Sequence, residues 1–351
     1  MKLVPLRRRL LYALFSIRFG RRPSYKDVSD KSWQLAPPPK LSLNRKAVYL
    51  ENQLDRVTDA GTSMEREYQR ITGQWQEYRP TTAYLLKSAY LANGYLYKSA
   101  LKTTLTSDKE SLFLSNPYEK IDHAVLTSSY CGNVYFGHFI FDELPLTLAA
   151  KKLGKPISTY REKFYHESEY RVLLNLYSHP VSQASFKEII VIDDVSWNDY
   201  KVERIESMRS RLRELIPTKN PKGVYYRRGT SGSSRLLINE AEVENFLAKK
   251  GFIILDPQKS SAQEILKESM EAEIIVGVEG SQLAPGLLSV KNEGAILTLQ
   301  PPNRFNNIYK DRADPLNIIY GFLVGLPIDN GFKINLEELD KTLDLISSEI
   351  S

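Results

Sequence analysis

The chain reads as an α/β protein in which strands feed helices in regular alternation. Three observations carry that reading. Residues 188–193, Glu-Ile-Ile-Val-Ile-Asp, form a run of branched residues suited to a strand buried on both faces. Residues 224–227 form a second short strand, followed by the polar loop Gly229-Thr-Ser-Gly-Ser-Ser234 and a helix. Residues 274–277 repeat the pattern, ending in a glycine turn that opens onto another helix. Such strands build a parallel sheet whose loops gather at one edge, where ligands bind.

The elements follow in order. Ala36-Pro37-Pro38-Pro39-Lys40 is a stiff linker, because successive prolines favour an extended backbone. Residues 47–51 read as a strand. Residues 81–101 alternate apolar and polar around Asn93-Gly94, a tight-turn dipeptide, and predict a β-hairpin appendage ahead of the first α/β unit. A strand at 123–129 leads into a helix from Val134 to about Leu153, capped by Asn133 and bent at Pro145. A helix near 168–177 precedes the strand at 188–193. The interdomain boundary is placed near Pro217-Thr-Lys-Asn-Pro221. Beyond it, Asn239 caps a helix ending at Gly251, and 252–255 is a strand. Ser261-Ala-Gln-Glu264 is a capping box, and strands at 274–277 and 295–299 flank a helix at 282–290. Asn335 caps a last amphipathic helix, 336–350, with Leu336, Leu339, Leu343 and Ile346 on one face. The expected organisation is a basic arm and linker (1–40), an α/β domain (41–216), a second α/β domain (217–330) and a terminal helix (331–351).

Composition narrows the function. With 351 residues, 42% hydrophobic and 26% charged, the chain has material for two globular domains. Its single cysteine, Cys131, excludes an intrachain disulfide and a cysteine-rich zinc site. The net charge is +6, yet eight basic residues (Lys2, Arg7, Arg8, Arg9, Arg18, Arg21, Arg22, Lys26) precede the first acid, Asp27, which leaves −2 for the rest. The high pI therefore belongs to an N-terminal arm, and a body-wide basic stripe for nucleic acid is absent. Within the arm, residues 10–17 are apolar but far short of the roughly 20 residues that span a bilayer, and no signal-peptide cleavage site follows. Residues 1–26 suit contact with an anionic membrane surface; a solvated arm is the alternative. The expected location is cytoplasmic, peripheral to the inner membrane face.

Three constellations carry chemistry. In Asn133-Val-Tyr135-Phe-Gly-His138-Phe-Ile-Phe-Asp142-Glu143, His138 and Asp142 are four apart and share a helix face. A carboxylate that fixes the imidazole tautomer leaves the other ring nitrogen to accept a proton. The same spacing also occurs in inert surface pairs. Asn133, Tyr135 and Glu143 surround the pair and are candidates for lining an acceptor cleft. The second constellation is Arg227, Arg228 and Arg235 around the glycine-serine loop, where guanidinium forks and backbone amides suit phosphate. It is neither a P-loop nor a dinucleotide fingerprint. The third is Gly277-Val-Glu279-Gly280-Ser281-Gln282, a strand end at a helix N-terminus. Glu279 there is placed to accept hydrogen bonds from a ribose or sugar hydroxyl. The four histidines show no metal-ligand spacing and no Asp-x-Asp occurs, so no metal is expected.

Taken together, Asn133…His138-Phe139…Asp142, Tyr226-Arg227-Arg228…Arg235…Asn239-Glu240, Gly251-Phe252 and Val276-Gly277-x-x-Gly280 resemble glycosyltransferase family 61, over roughly residues 86–301. The resemblance implies a GT-B-like fold, two Rossmann-like domains facing a cleft. The acceptor lies on the N-terminal one and the nucleotide-sugar mainly on the C-terminal one. It also implies inversion at the anomeric carbon without an obligate metal, no cofactor beyond the nucleotide-sugar co-substrate, and a last helix that crosses back to the first domain. Where many members carry His-Gly-Ala, this chain has Glu279-Gly280-Ser281, which touches the donor contact made there.

The expected function is sugar transfer from a nucleotide-sugar to a hydroxyl of a glycan or lipid-linked glycan, in capsular or other surface polysaccharide synthesis. His138 is the expected base with Asp142 orienting it; Asp142 acting directly is the alternative. Arg227, Arg228, Arg235 and residues 279–282 are the expected donor contacts. Two further classes stay open: a non-catalytic nucleotide- or glycan-binding component of an assembly complex, and another GT-B-like transferase such as a pyruvyltransferase.

Overall fold

The computed structural model describes residues 4–36, 40–110, 119–229 and 235–350, over which the chain builds two principal sheets, each with its own core. Residues 37–39 of the expected linker and 230–234 of the glycine-serine loop lie outside the described residues. The chain divides into two compact units, Met1–Pro38 with Arg79–Arg204, and Pro39–Tyr78 with Ile205–Ser351. The division falls inside a helix, Asp199–Leu215, rather than at residues 217–221.

The first unit carries an eight-stranded mixed sheet. Its strands are β1 (Lys31–Gln34), β2 (Thr82–Ala92), β3 (Tyr95–Lys98), β4 (Leu101–Thr104), β5 (Glu119–Leu126), β6 (Pro156–Thr159), β7 (His179–Val181) and β8 (Gln183–Asp193). They run in the order β4-β3-β2-β8-β5-β6-β7, with β1 also on β2. The β8-β5-β6-β7 pairings are parallel and those of β2 with β8, β3 and β1 are antiparallel. Asn93 and Gly94 join β2 to β3 with φ of +49° and +77°, the backbone a type I′ turn demands. Both strands are members of the large sheet. At its centre Leu86, Ala89, Ala124, Leu126, Ile189 and Val191 are buried together, so the continuous apolar run of β8 reflects burial of both faces. Helix α1 (Val4–Phe19) lies against β3 and β4.

The second unit has a five-stranded, all-parallel sheet: β9 (Gly223–Tyr226), β10 (Ile253–Leu255), β11 (Ile274–Val278), β12 (Ala295–Gln300) and β13 (Ile319–Val324), in the order β10-β9-β11-β12-β13. Numbered within the unit this is 2-1-3-4-5. A doubly wound sheet of that order reverses direction between its first and third strands, and ligands bind where the carboxyl ends of those strands diverge. Here these are the ends of β9 and β11. Residues 47–51 form no strand; Val48 makes a single bridge to Gly321 on β13. Two antiparallel ribbons, Lys40–Leu43 with Trp75–Tyr78 and Leu326–Ile328 with Gly331–Lys333, complete the unit. The last helix, Leu336–Glu349, starts at Asn335, whose side chain accepts from the amides of Glu337 and Glu338. Leu339, Leu343 and Ile346 bury into the core of this same unit, and Ile346 fills the space beside Gly321.

Candidate functional site

The His138 segment is not one long helix. Helix α2 (Tyr130–Val134) begins at Ser129, whose hydroxyl accepts from the Gly132 amide (3.0 Å). Its chain breaks at Tyr135, in extended conformation, and resumes at Phe136–His138. A π turn, Phe139–Glu143, then joins helix α3, Leu144–Lys151. Pro145 sits at the start of α3 and has no amide to donate. The widened turn before it, closed by the Leu144 amide on Phe139 O, is where the helix absorbs that missing bond. Asn133 is therefore no cap. Its Nδ2 donates to Leu105 O (2.5 Å) and its Oδ1 accepts from Arg161 Nε (3.0 Å).

The π turn sets His138 and Asp142 side by side, with Nδ1 2.5 Å from Asp142 Oδ2. A carboxylate only accepts, so Nδ1–H is the donor, and in the neutral ring Nε2 is the acceptor. The other carboxylate oxygen is also engaged: Lys201 Nζ lies 2.5 Å from Asp142 Oδ1. Lys201 is fully buried and also donates to Asp194 O (3.1 Å). It comes from helix α4 (Asp199–Leu215), whose first turn is held by Asn198 Oδ1 accepting from the Lys201 amide (3.1 Å). Asp194 itself takes a two-pronged bond from Arg204 at 2.7 and 3.0 Å. Asp142 thus stands in a fixed chain, with His138 about one quarter exposed at its end. Tyr135 is half exposed, its ring 6.0 Å from that of His138.

Glu143 turns the opposite way. It is buried, pairs with Arg171 NH2 (2.6 Å) and lies 3.7 Å from Arg161 NH2. Glu167 shares both arginines, at 2.9 and 2.7 Å. Burial pushes the Glu143 carboxyl above the usual range, against the pull of Arg171 and Arg161. Its environment is an internal ion cluster rather than an open cleft.

In the second unit the switch point gathers the other predicted residues. Arg228, just beyond β9, is buried and donates from NH1 to Gln282 Oε1 (2.6 Å). Arg235 donates from NH1 to Glu279 O (2.7 Å) and lies 2.6 Å from Glu279 Oε2. Gly280 has φ of +152°, and a Cβ there would stand 2.2 Å from Arg228 NH1 and 2.9 Å from Arg235 NH1. Only glycine admits both guanidiniums. Tyr309, buried, donates to Gly280 O (2.8 Å). Glu279 is 3% exposed, so it faces arginines rather than an open sugar-hydroxyl site. Burial raises its pKa, while Arg235, Arg304, Arg228 and Arg312 oppose that rise. The same burial lowers the pKa of Arg228 and of Arg235.

Two predicted features are placed differently. Arg227 points to helix α5 (Glu240–Lys249), donating from Nε to Glu244 (2.6 Å) with Asp256 at 3.6 Å. As neighbours leaving a strand, Arg227 and Arg228 face opposite sides. The helix expected at 282–290 is a 3-10 turn, Ser281–Leu283, and a six-residue helix, Ala284–Ser289. The Leu283 amide is bound to Gly280 O, so charge here comes from arginines more than from free amides. Ser281 is partly buried in that turn. Asn239 also serves a distant partner. Its amide brackets the Ile334 backbone (2.9 and 3.0 Å) and makes no cap bond. The sequence reading missed Lys201, Arg304, Tyr309 and Arg312, which lie far along the chain from the motifs they join.

Solved structures resembling the chain include a mutant flavo di-iron protein from Thermotoga maritima (11% identity, 97% of this chain and 71% of that one, TM-score 0.27). A flavodiiron core from Synechocystis sp. PCC6803 (9%, 76% and 64%, TM-score 0.27) and the flavodiiron protein from Giardia intestinalis (8%, 77% and 64%, TM-score 0.24) are similar to the same extent. Likenesses of that size carry no argument about fold or function. No curated protein sequence matches the chain. The sequence model of the family described as Glycosyltransferase 61 matches residues 136–296, a stretch that runs from the His138 turn to the start of β12, and this match supports a glycosyltransferase.

Proposed function

We propose that the protein transfers a sugar from a nucleotide-sugar to an acceptor hydroxyl, with inversion and without a metal, in a GT-B arrangement serving capsular or other surface polysaccharide synthesis. The observation that carries this reading is the gathering of Arg228 and Arg235 around Gly280 at the switch point, inside the stretch that the family model matches. In this mechanism His138 Nε2 takes the proton of the acceptor hydroxyl as its oxygen attacks the anomeric carbon. The bond from that carbon to the diphosphate oxygen breaks, and its electron pair leaves with the nucleoside diphosphate. Arg228 and Arg235 stabilise the departing charge, the part a divalent ion plays elsewhere. Asp142 holds the His138 tautomer and Lys201 holds Asp142. Engagement of both Asp142 oxygens favours the histidine over the aspartate as base.

Release of nucleoside diphosphate from a nucleotide-sugar panel tests this. His138→Ala is expected to lower turnover by about 10²–10⁴-fold while donor affinity changes little. Lys201→Met is expected to lower kcat, since it loosens the carboxylate that orients the ring. Activity is expected to survive excess EDTA. Near-native turnover in His138→Ala with loss in Asp142→Asn reassigns the base to Asp142. Donor binding without any release makes the chain a non-catalytic binding component.

A further inference from the structure

Helix α1 is fixed to the first unit by one face and leaves an apolar face uncovered. On the inner side Arg8 Nε donates to Ala100 O (3.2 Å), its guanidinium lies 4.8 Å over the Tyr12 ring, and Leu11, Tyr12 and Phe15 are half-buried. Arg9 reaches Glu110 (3.5 Å). The following segment is pinned by Tyr25, which stacks on Tyr84 and shares a 2.6 Å bond with Thr103. On the outer side Leu6, Leu10, Leu14 and Ile17 are 46%, 65%, 64% and 83% exposed. Steps of four, four and three residues keep them within an arc of about 80° at 3.6 residues per turn. By the same spacing exposed Arg7 and Arg18 border one edge of the stripe and Arg9 the other.

We infer that α1 lies flat in the headgroup region of an anionic bilayer, with Leu6, Leu10, Leu14 and Ile17 inserted and Arg7 and Arg18 on lipid phosphates. Sixteen residues reach only about 24 Å as a helix, less than the roughly 30 Å hydrocarbon core, so the helix lies along the surface. No helix among the described residues is long and apolar enough to cross a membrane. Charge selects the occupant. The segment before Asp27 holds eight basic residues and no acid, which complements anionic lipid. In a two-fold pairing with a second copy the same stripe would bring Arg7, Arg9 and Arg18 against themselves. Arginine stems can lie along the apolar stripe while their heads stay at the phosphates. This surface is independent of the proposed transfer chemistry, since vesicle binding needs no turnover.

Flotation of the full chain with vesicles tests it, using phosphatidylcholine alone or mixed with phosphatidylserine. Binding is expected only with phosphatidylserine and is expected to weaken as salt rises. Leu10→Gln with Leu14→Gln is expected to reduce partitioning at least about tenfold, since two exposed leucines lose their burial in lipid. Arg7→Gln with Arg18→Gln is expected to reduce it by about fivefold per arginine. Because all four side chains are exposed and glutamine is a good helix former, circular dichroism and thermal midpoint should not change. Absence of binding at low salt, or full binding by the leucine variant, overturns the inference. A dimer in solution that the leucine variant dissociates overturns it too and gives the face to a second copy.

Discussion

Glu143 and Glu279 are both buried carboxylates held against arginines, and burial raises both above the usual range. Around Glu143 the charges balance: Glu143 and Glu167 each lie within ion-pair distance of both Arg161 and Arg171, with Glu143 at 3.7 Å from Arg161 the longest contact. Around Glu279 the arrangement differs. Arg235, Arg304, Arg228 and Arg312 all act on the single carboxylate. The nearby Glu240 is bound to the Tyr225 hydroxyl and the Arg228 amide. Cations gathered away from water are costly unless something compensates them. The balanced cluster compensates itself and reads as structure. Around Glu279 the same arginines would serve the diphosphate of the proposed donor, whose charge Arg228 and Arg235 would stabilise.

The largest effect that can break this contrast is on stability. Arg171→Met strips the balanced cluster of one cation and leaves Glu143 and Glu167 sharing one arginine. Breaking a buried pair in this way typically costs about 3–5 kcal/mol, and a urea melt of each variant measures it. Arg228→Ala, which removes one of several mutually repelling cations, is expected to cost clearly less. Equal losses in the two variants would erase the distinction between the clusters.

Ligand affinity sharpens it from the other side. Arg228→Ala and Arg235→Ala are each expected to weaken binding of a nucleoside diphosphate by about 10- to 150-fold, the worth of one charge-assisted hydrogen bond to phosphate. Arg227→Ala, whose guanidinium is held by Glu244, is expected to change it by less than about fivefold. Calorimetric titration separates them; an Arg227 effect as large as that of Arg228 would contradict the geometry of the switch point.

Much of this contrast was legible in the sequence, and the part that was not has physical causes. Parallel strands announce themselves as branched runs, and β8, β11 and β12 lie where such runs predict them. Arg228, Arg235 and Gly280 flank strand ends, so a local pattern finds them. Helix α4 carries apolar residues at helical spacing, Ile205, Met208 and Leu212, but Lys201, Arg204 and Arg209 are buried as well and blur that pattern in the sequence. Asn133 and Asn239 carry good capping chemistry, yet Arg161 and the Ile334 backbone hold them instead. Glu143 follows Asp142 directly, and only the π turn decides that one reaches His138 while the other enters the interior. Arg304 and Arg312 reach Glu279 through the fold of the sheet, and no spacing rule connects them.

The smallest predicted effect is a proton count. Glu279 holds its proton more tightly than an ordinary carboxyl because burial disfavours its charged form, and only its arginines restrain that rise. A diphosphate bound by Arg228 and Arg235 brings negative charge to the same arginines. Like charge disfavours the ionised carboxylate further, so binding is expected to raise the affinity of Glu279 for its proton and draw in a fraction of one. The arginines act on the phosphate in the opposite sense, favouring its deprotonated form and releasing protons. The raw count therefore mixes two signs, and the difference between wild type and Glu279→Gln isolates the carboxylate. Calorimetry in two buffers of unlike ionisation enthalpy, at mildly acidic pH, is expected to show more proton uptake for wild type than for the variant. The affinity of the variant for the bare diphosphate should be equal or tighter, since a neutral amide no longer repels the ligand. Weaker binding by Glu279→Gln with no change in proton count would mean that the carboxylate serves to aim Arg235.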